Sequence, residues 1–271
     1  MTIPPLQAEQ LFNIGGLPIT NAYINSSLAL LLFIAAAFLI RFNLKEIPGK
    51  FQNAVEALLE FLLGYFDQVT HDRAKSRRFL PLVGTLFFFI LASNWMSLIP
   101  GTGSIGLWLP HKGEIELIPL LRPAMSDLNL TLAMAALSVI ASHLFGLFTL
   151  GAFVHLNKFI QLGTLWKAVK TLNPVKILVA CVELVVGFIE LFSEIAKVVS
   201  LSLRLFGNIF AGEVLLTVIS GLFAFAMPLP FMALELIVGI VQATVFSMLT
   251  LVYLTVATTH PHENEGEAAH A

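Results

Sequence analysis

The sequence predicts an all-α polytopic membrane protein, with about five transmembrane helices, an amphipathic helix on the inner surface and a long, steeply tilted C-terminal helix hairpin. Three observations carry this. Hydrophobic residues make up 57% of the 271 and charged residues only 12%, at a mean hydropathy of +0.87, a composition suited to hydrocarbon rather than water. Apolar stretches of about twenty residues recur, each long enough to cross a bilayer core of about 30 Å. Lysines and arginines gather in alternate connections. The formal net charge of −2 offers no basic face, so nucleic acid is not an expected partner. The single cysteine, Cys181, excludes a disulfide within the chain and reads as a small apolar residue.

The chain reads as a single membrane domain, 1–271. Residues 1–22 are an outer N-terminal segment, 23–257 the membrane helices and loops, and 258–271 a cytoplasmic tail. The N-terminal segment has Glu9 as its only charge and lacks the basic region and cleavage site of a secretory leader, so it is expected to stay on the chain. The first span, 23–40, is followed by Arg41, Lys45 and Lys50 with nothing basic before it, which puts the N-terminus outside. Residues 49–66 place Gln52, Asn53, Glu56 and Glu60 on one helix with Val55, Leu58, Leu59, Leu62 and Leu63, a helix too polar to span.

His71, Arg73, Lys75, Arg77 and Arg78 reinforce the inner side before a second span, 80–99. The outer connection 101–126 is rich in Gly and Pro. A third span, 128–150, carries Asp127 at its start and His143 within, and His143 reads as a packed or hydrogen-bonded group. Lys158, Lys167, Lys170 and Lys176 mark the return inside. The last span, 231–256, leaves the tail inside. The irregular histidine and glutamate spacing of HPHENEGEAAH (260–270) makes no metal site, and neither metal nor cofactor is expected.

Residues 174–221 form a very long apolar stretch that carries Glu183, Glu190, Glu194, Lys197, Arg204 and Glu213, too many ionisable groups for a lipid-facing span. At roughly 100° per residue, positions 183, 190, 194, 197, 204 and 208 share a stripe of about 80°, and Glu213 lies off it. Upright, this helix overshoots the hydrocarbon by roughly a factor of two, so it is tilted or broken.

Arg204 narrows the function. A guanidinium cannot shed its proton, and burial in hydrocarbon costs at least about 2.5–3.5 kcal/mol. Its apolar surroundings favour a carboxylate partner or a watery path. In an antiparallel hairpin, with the first helix ending near Gly221 and the second starting near Pro230, Arg204 and Gln242 meet at similar depth. Glu213 and Glu235 are then displaced outward, by about 13 and 10 Å of helix rise, and Glu190, Glu194 and Lys197 inward. A fixed cation between two sets of titratable groups suits two half-paths that do not connect. It repels a free cation, attracts a partner's carboxylate and favours its deprotonated form.

The segment SLSLRLFGNIFAGE (200–213) resembles the signature of subunit a of bacterial F-type ATP synthases. GKFQNAVEALLEFL (49–62), SNWMSLIPG (93–101), SDLNLTLAMA (126–135) and VQATVFSMLTLVYL (241–254) resemble other segments of that family in order. The resemblance implies a non-catalytic, ion-translocating stator subunit of the bacterial inner membrane. Arg204 would face the carboxylates of a c-subunit ring, with Asn208, Gln242, Glu213 and Glu190 lining aqueous routes. It implies as partners the c ring, the b-subunit peripheral stalk, and a catalytic head on which the ATP chemistry occurs. Where members of the family often show a Glu and a His, this chain has Glu213 and Glu235, a pair expected to titrate together. A secondary ion transporter is the alternative, although the chain shows no matching halves. An intramembrane enzyme lacks a nucleophile and base, or metal ligands, at one depth.

Overall fold

The computed structural model describes residues 4–99, 101, 105–111, 114–151, 174–223 and 227–259. Lys158, Lys167 and Lys170 and nearly all of the tail lie outside the described residues, as do the side chains of Cys181 and Glu183. Two β-strands, β1 (Gln10–Ile14) and β2 (Leu17–Thr20), lead into α1 (Asn21–Phe42), α2 (Lys50–Thr70) and α3 (Arg73–Ser97). Strands β3 (Gly106–His111) and β4 (Glu114–Pro119) and a one-turn 3₁₀ helix, Ala124–Ser126, follow. Then come α4 (Leu128–Leu150), α5 (Pro174–Leu222) and α6 (Pro228–Thr258).

Five of these helices are long and apolar enough to cross a membrane: α1, α3, α4, the Val185–Leu222 part of α5, and α6. The protein is an all-α polytopic membrane protein, and the amphipathic α2 is not among its candidate spans. Helix ends follow the caps more closely than the apolar limits. The Asp72 side chain accepts from the Ala74 N–H at 2.8 Å, so α3 begins at Arg73, about two turns before the apolar run. Asp127 caps α4 through the Asn129 N–H at 2.9 Å.

Two hairpins, which the sequence reading did not anticipate, stand outside the helices. β1 and β2 pair antiparallel around Gly15 and Gly16, at φ +59° and +90°. That left-handed pair is the backbone a tight two-residue turn requires. β3 and β4 also pair antiparallel.

The core sits where α3, α4, α5 and α6 meet. Leu86, Ile90, Met134, Ala135, Leu201, Leu205, Ile209, Ala243 and Phe246 pack there with Met125 of the 3₁₀ turn. A second cluster joins α2 to α3 and α6 through Leu62, Phe66, Phe79, Val83, Leu251 and Leu254. Between helices in lipid the contacts come from small and polar side chains rather than from water exclusion. Thr131 and Ser202 hydroxyls lie 3.3 Å apart across α4 and α5. Gly239 of α6 meets α3 so closely that a Cβ there would stand 3.3 Å from the Asn94 Cβ. Helix α5 is continuous over 49 residues, about 73 Å at 1.5 Å per residue, so it must lie oblique to a bilayer core of about 30 Å.

The Gly239 contact sets an expected outcome for stability. Gly239→Ala gains about 1 kcal/mol of helix propensity against a similar packing cost, leaving the unfolding midpoint in detergent nearly unchanged. Gly239→Leu, with no room at the α3 face, lowers it by the equivalent of about 3 kcal/mol. A leucine variant as stable as its parent would contradict this packing.

Candidate functional site

Two contacts fix how α5 runs against α6. The Glu235 carboxylate of α6 lies so close over Gly212 of α5 that any Cβ there would overlap it. Further along, the Lys197 Nζ of α5 stands 5.3 Å from the centre of the Tyr253 ring of α6. Between these crossings the helices run antiparallel, which sets Arg204 level with α6 within about one turn of Gln242. Level does not mean facing. Gln242 is only 9% exposed, inside the bundle, whereas Arg204 and Asn208 are on the exposed side of α5.

Near the start of α6, Glu213 is held by an arginine that the sequence reading passed over. Arg122 donates from Nε to Glu213 Oε1 at 2.9 Å and to Oε2 at 3.2 Å. Glu213 and Glu235 line one cavity of about 510 Å³, together with Arg122, Glu9, Thr217, Ser220 and the end of α3 from Ser97 to Ile99. The cavity lies where α3 finishes and α6 begins.

At the opposite end, Glu194 of α5 gathers two nitrogen partners. The Lys197 Nζ donates to its Oε1 at 2.6 Å, and His143 Nε2 of α4 lies 3.3 Å from its Oε2. His143 is thus a hydrogen-bonded group, as the sequence suggested, and its partner is one of the expected ion-path carboxylates. Glu190 is half-exposed one turn before Glu194.

In the middle, Arg204 has no ion pair with any described residue. The buried face of this stretch of α5 is Leu201, Ser202, Leu205, Phe206 and Ile209. The exposed face carries Arg204 among small side chains at helical spacing: Ser193, Ala196, Ser200 and Ala211, with Gly207 half-exposed and open beyond. On α3, Asn94 is 3% exposed, and neither of its side-chain polar atoms has a protein partner.

The structure therefore brings Glu213 and Glu235 together and joins Glu194 to Lys197. It leaves Arg204 and Asn208 on an open face and buries Gln242 at their level. Arg122, Glu9 and Asn94 were missed. An arginine in the apolar run LLRPAM (120–125) carried the same signal as Arg204, a charge among apolar neighbours, and was obscured by lying in a Pro-containing loop.

Comparisons with known proteins agree with this architecture. The family described as ATP synthase A chain matches residues 23–255. A protein of Moorella thermoacetica named ATP synthase subunit a is 31% identical over 245 residues, covering 90% of this chain and 94% of its own length. Its namesake in Desulfotalea psychrophila is 34% identical over 237 residues, covering 85% and 81%. That of Mycobacterium ulcerans is 32% identical over 243 residues, covering 88% and 86%. With a family match that runs from the start of α1 nearly to the end of α6, the chain belongs to the ATP synthase A chain family, as a multi-pass membrane subunit of an ATP synthase complex.

Proposed function

We propose that this subunit is the ion-translocating stator of the membrane sector, giving a rotating ring of c subunits two offset aqueous half-paths separated by Arg204. The observation that carries the reading is Arg204 itself: a permanent cation on an exposed helix face, without an ion pair among the described residues, flanked by small side chains. Small residues let a neighbouring helix approach closely. A charge in that position is expensive unless the neighbour brings the opposite one. A ring whose helices each carry a carboxylate meets both conditions.

The sequence of steps follows from charge. A protonated ring carboxylate is neutral and can face lipid. On reaching Arg204 it is favoured as the anion and releases its ion into one half-path. Moving past, it must bind an ion from the other half-path before returning to hydrocarbon. Glu213 and Glu235, in the outer cavity, serve one path, and Glu190, Glu194 and Lys197 the other. Asn208, one turn beyond Arg204 on the same face, and Gln242, level with it, supply polar groups at the junction. The buried amide of Asn94 adds a group that a wet route satisfies. Arg204 prevents a continuous cation leak between the two.

Direction and partners complete the reading. Lysine and arginine placement puts the N-terminus outside and the C-terminus in the cytoplasm of a bacterial inner membrane. The peripheral b stalk holds this subunit against the ring, and the catalytic head makes ATP. Each charge crossing 100 mV carries about 2.3 kcal/mol, so several proton or sodium steps must be summed per nucleotide, which a ring does.

Two outcomes are expected. Arg204→Ala reduces ATP-driven ion pumping in inverted vesicles to background while the complex still assembles, and Arg204→Lys recovers little, because a lysine lacks the fork and can lose its proton. Normal pumping by the alanine variant would refute the assignment. Glu235→Ala lowers pumping about tenfold or more and changes its pH profile, since one of the titratable groups lining the cavity is gone. An unchanged rate and profile would remove Glu235 from the path.

A further inference from the structure

Arg122 is the one charged side chain buried among the described residues, at 2% exposure, and its guanidinium is divided between two tasks. Nε holds Glu213 of α5. The two terminal nitrogens reach the N-terminal segment instead: Nη1 donates to the Gln7 carbonyl at 3.0 Å and Nη2 to the Pro5 carbonyl at 2.8 Å. The Phe210 ring, one turn before Glu213, lies 6.0 Å from its Cζ. The backbone of Arg122 is fixed in turn, because Asn25 of α1 donates from Nδ2 to its carbonyl at 2.8 Å.

The segment held in this way forms part of the outer cavity, whose lining includes Pro4, Pro5 and Glu9. Glu9 is kept in place by Asn21, whose Nδ2 donates to Glu9 Oε2 at 3.2 Å and whose backbone N–H donates to the Glu9 carbonyl at 3.1 Å. We propose that Arg122 is a positioning residue of the outer path. It fixes the Glu213 carboxylate on the cavity wall beside Glu235 and latches residues 4–9 across the cavity, so that Glu9 becomes a third lining carboxylate.

The proposal rests on reading this cavity as the outer half-path, and it makes a physical distinction between substitutions. Alanine releases both Glu213 and the two carbonyls. Lysine keeps a charge for Glu213 but is a single compact donor group, unable to span a carboxylate and two separate carbonyls. The latch and the pairing can therefore be separated.

The test uses the assembled complex in inverted vesicles and in detergent, with Cys181→Ser as background and Thr217→Cys as a reporter inside the cavity. A membrane-impermeant methanethiosulfonate is the probe, and pumping is expressed per assembled complex. Arg122→Ala is expected to raise the labelling rate about tenfold, by freeing the segment across the cavity, and to lower pumping about tenfold. Arg122→Lys is expected to raise labelling similarly while pumping stays within about twofold. Should the alanine variant not assemble, removal of residues 2–7 tests the latch, with the same rise in labelling expected.

Unchanged labelling in Arg122→Ala, or in the truncated chain, overturns the latch. An alanine effect confined to assembly, with labelling and pumping per complex like the parent, overturns the positioning role. Faster labelling in Arg122→Ala with undiminished pumping leaves the latch in place and counts against the half-path reading instead.

Discussion

A guanidinium in an apolar setting has to be compensated, and this chain contains two that show the alternatives side by side. Arg122 is buried and paired: one carboxylate and two carbonyls accept from its three nitrogens. Arg204, about two and a half turns from the Glu213 that Arg122 holds, has no such partner among the described residues and stands on an open face. The cost of leaving a charge so placed is at least about 2.5–3.5 kcal/mol. The proposed answer, a carboxylate delivered by a neighbouring ring, gives that cost a use: the compensation arrives and leaves, and an ion moves each time.

The remainder of the bundle serves to keep the two ends of this arrangement apart. The Gly212–Glu235 crossing and the Lys197–Tyr253 crossing lie on either side of Arg204 along the same pair of helices. One brings Glu235 to the cavity that Glu213 and Arg122 line. The other lies beside the Glu194, Lys197 and His143 group that ties α5 to α4. The packed core of Leu201, Leu205, Ile209, Ala243 and Phe246 fills the level between them. A largely apolar layer at the level of Arg204, with Ser202 and Gln242 as buried polar groups in it, suits the two unconnected half-paths proposed above.

Much of this was legible in the residues. The spans followed from hydropathy, and α4 begins and ends at the limits of its apolar run, Leu128 and Leu150. The depth match of Arg204 with Gln242 followed from helix rise alone, because nothing interrupts either helix between the crossings. Periodicity could not say that Gln242 turns inward while Arg204 turns outward, since that depends on which neighbours cover each face. The two β-hairpins escaped because their strands are short, five and four residues in one and six in each strand of the other. Arg122 escaped for a different reason. Its partners lie 91 residues ahead, at Glu213, and 115 and 117 behind, at Gln7 and Pro5, and no local pattern encodes contacts at such range.

The most direct measurement is a structure of the assembled membrane sector, resolving what lies against residues 200–211 of α5. The account expects a ring helix packed on the small-residue face, its carboxylate within ion-pair distance of the Arg204 guanidinium. Lipid against that face, or an acid of this same chain closing on Arg204, would contradict it.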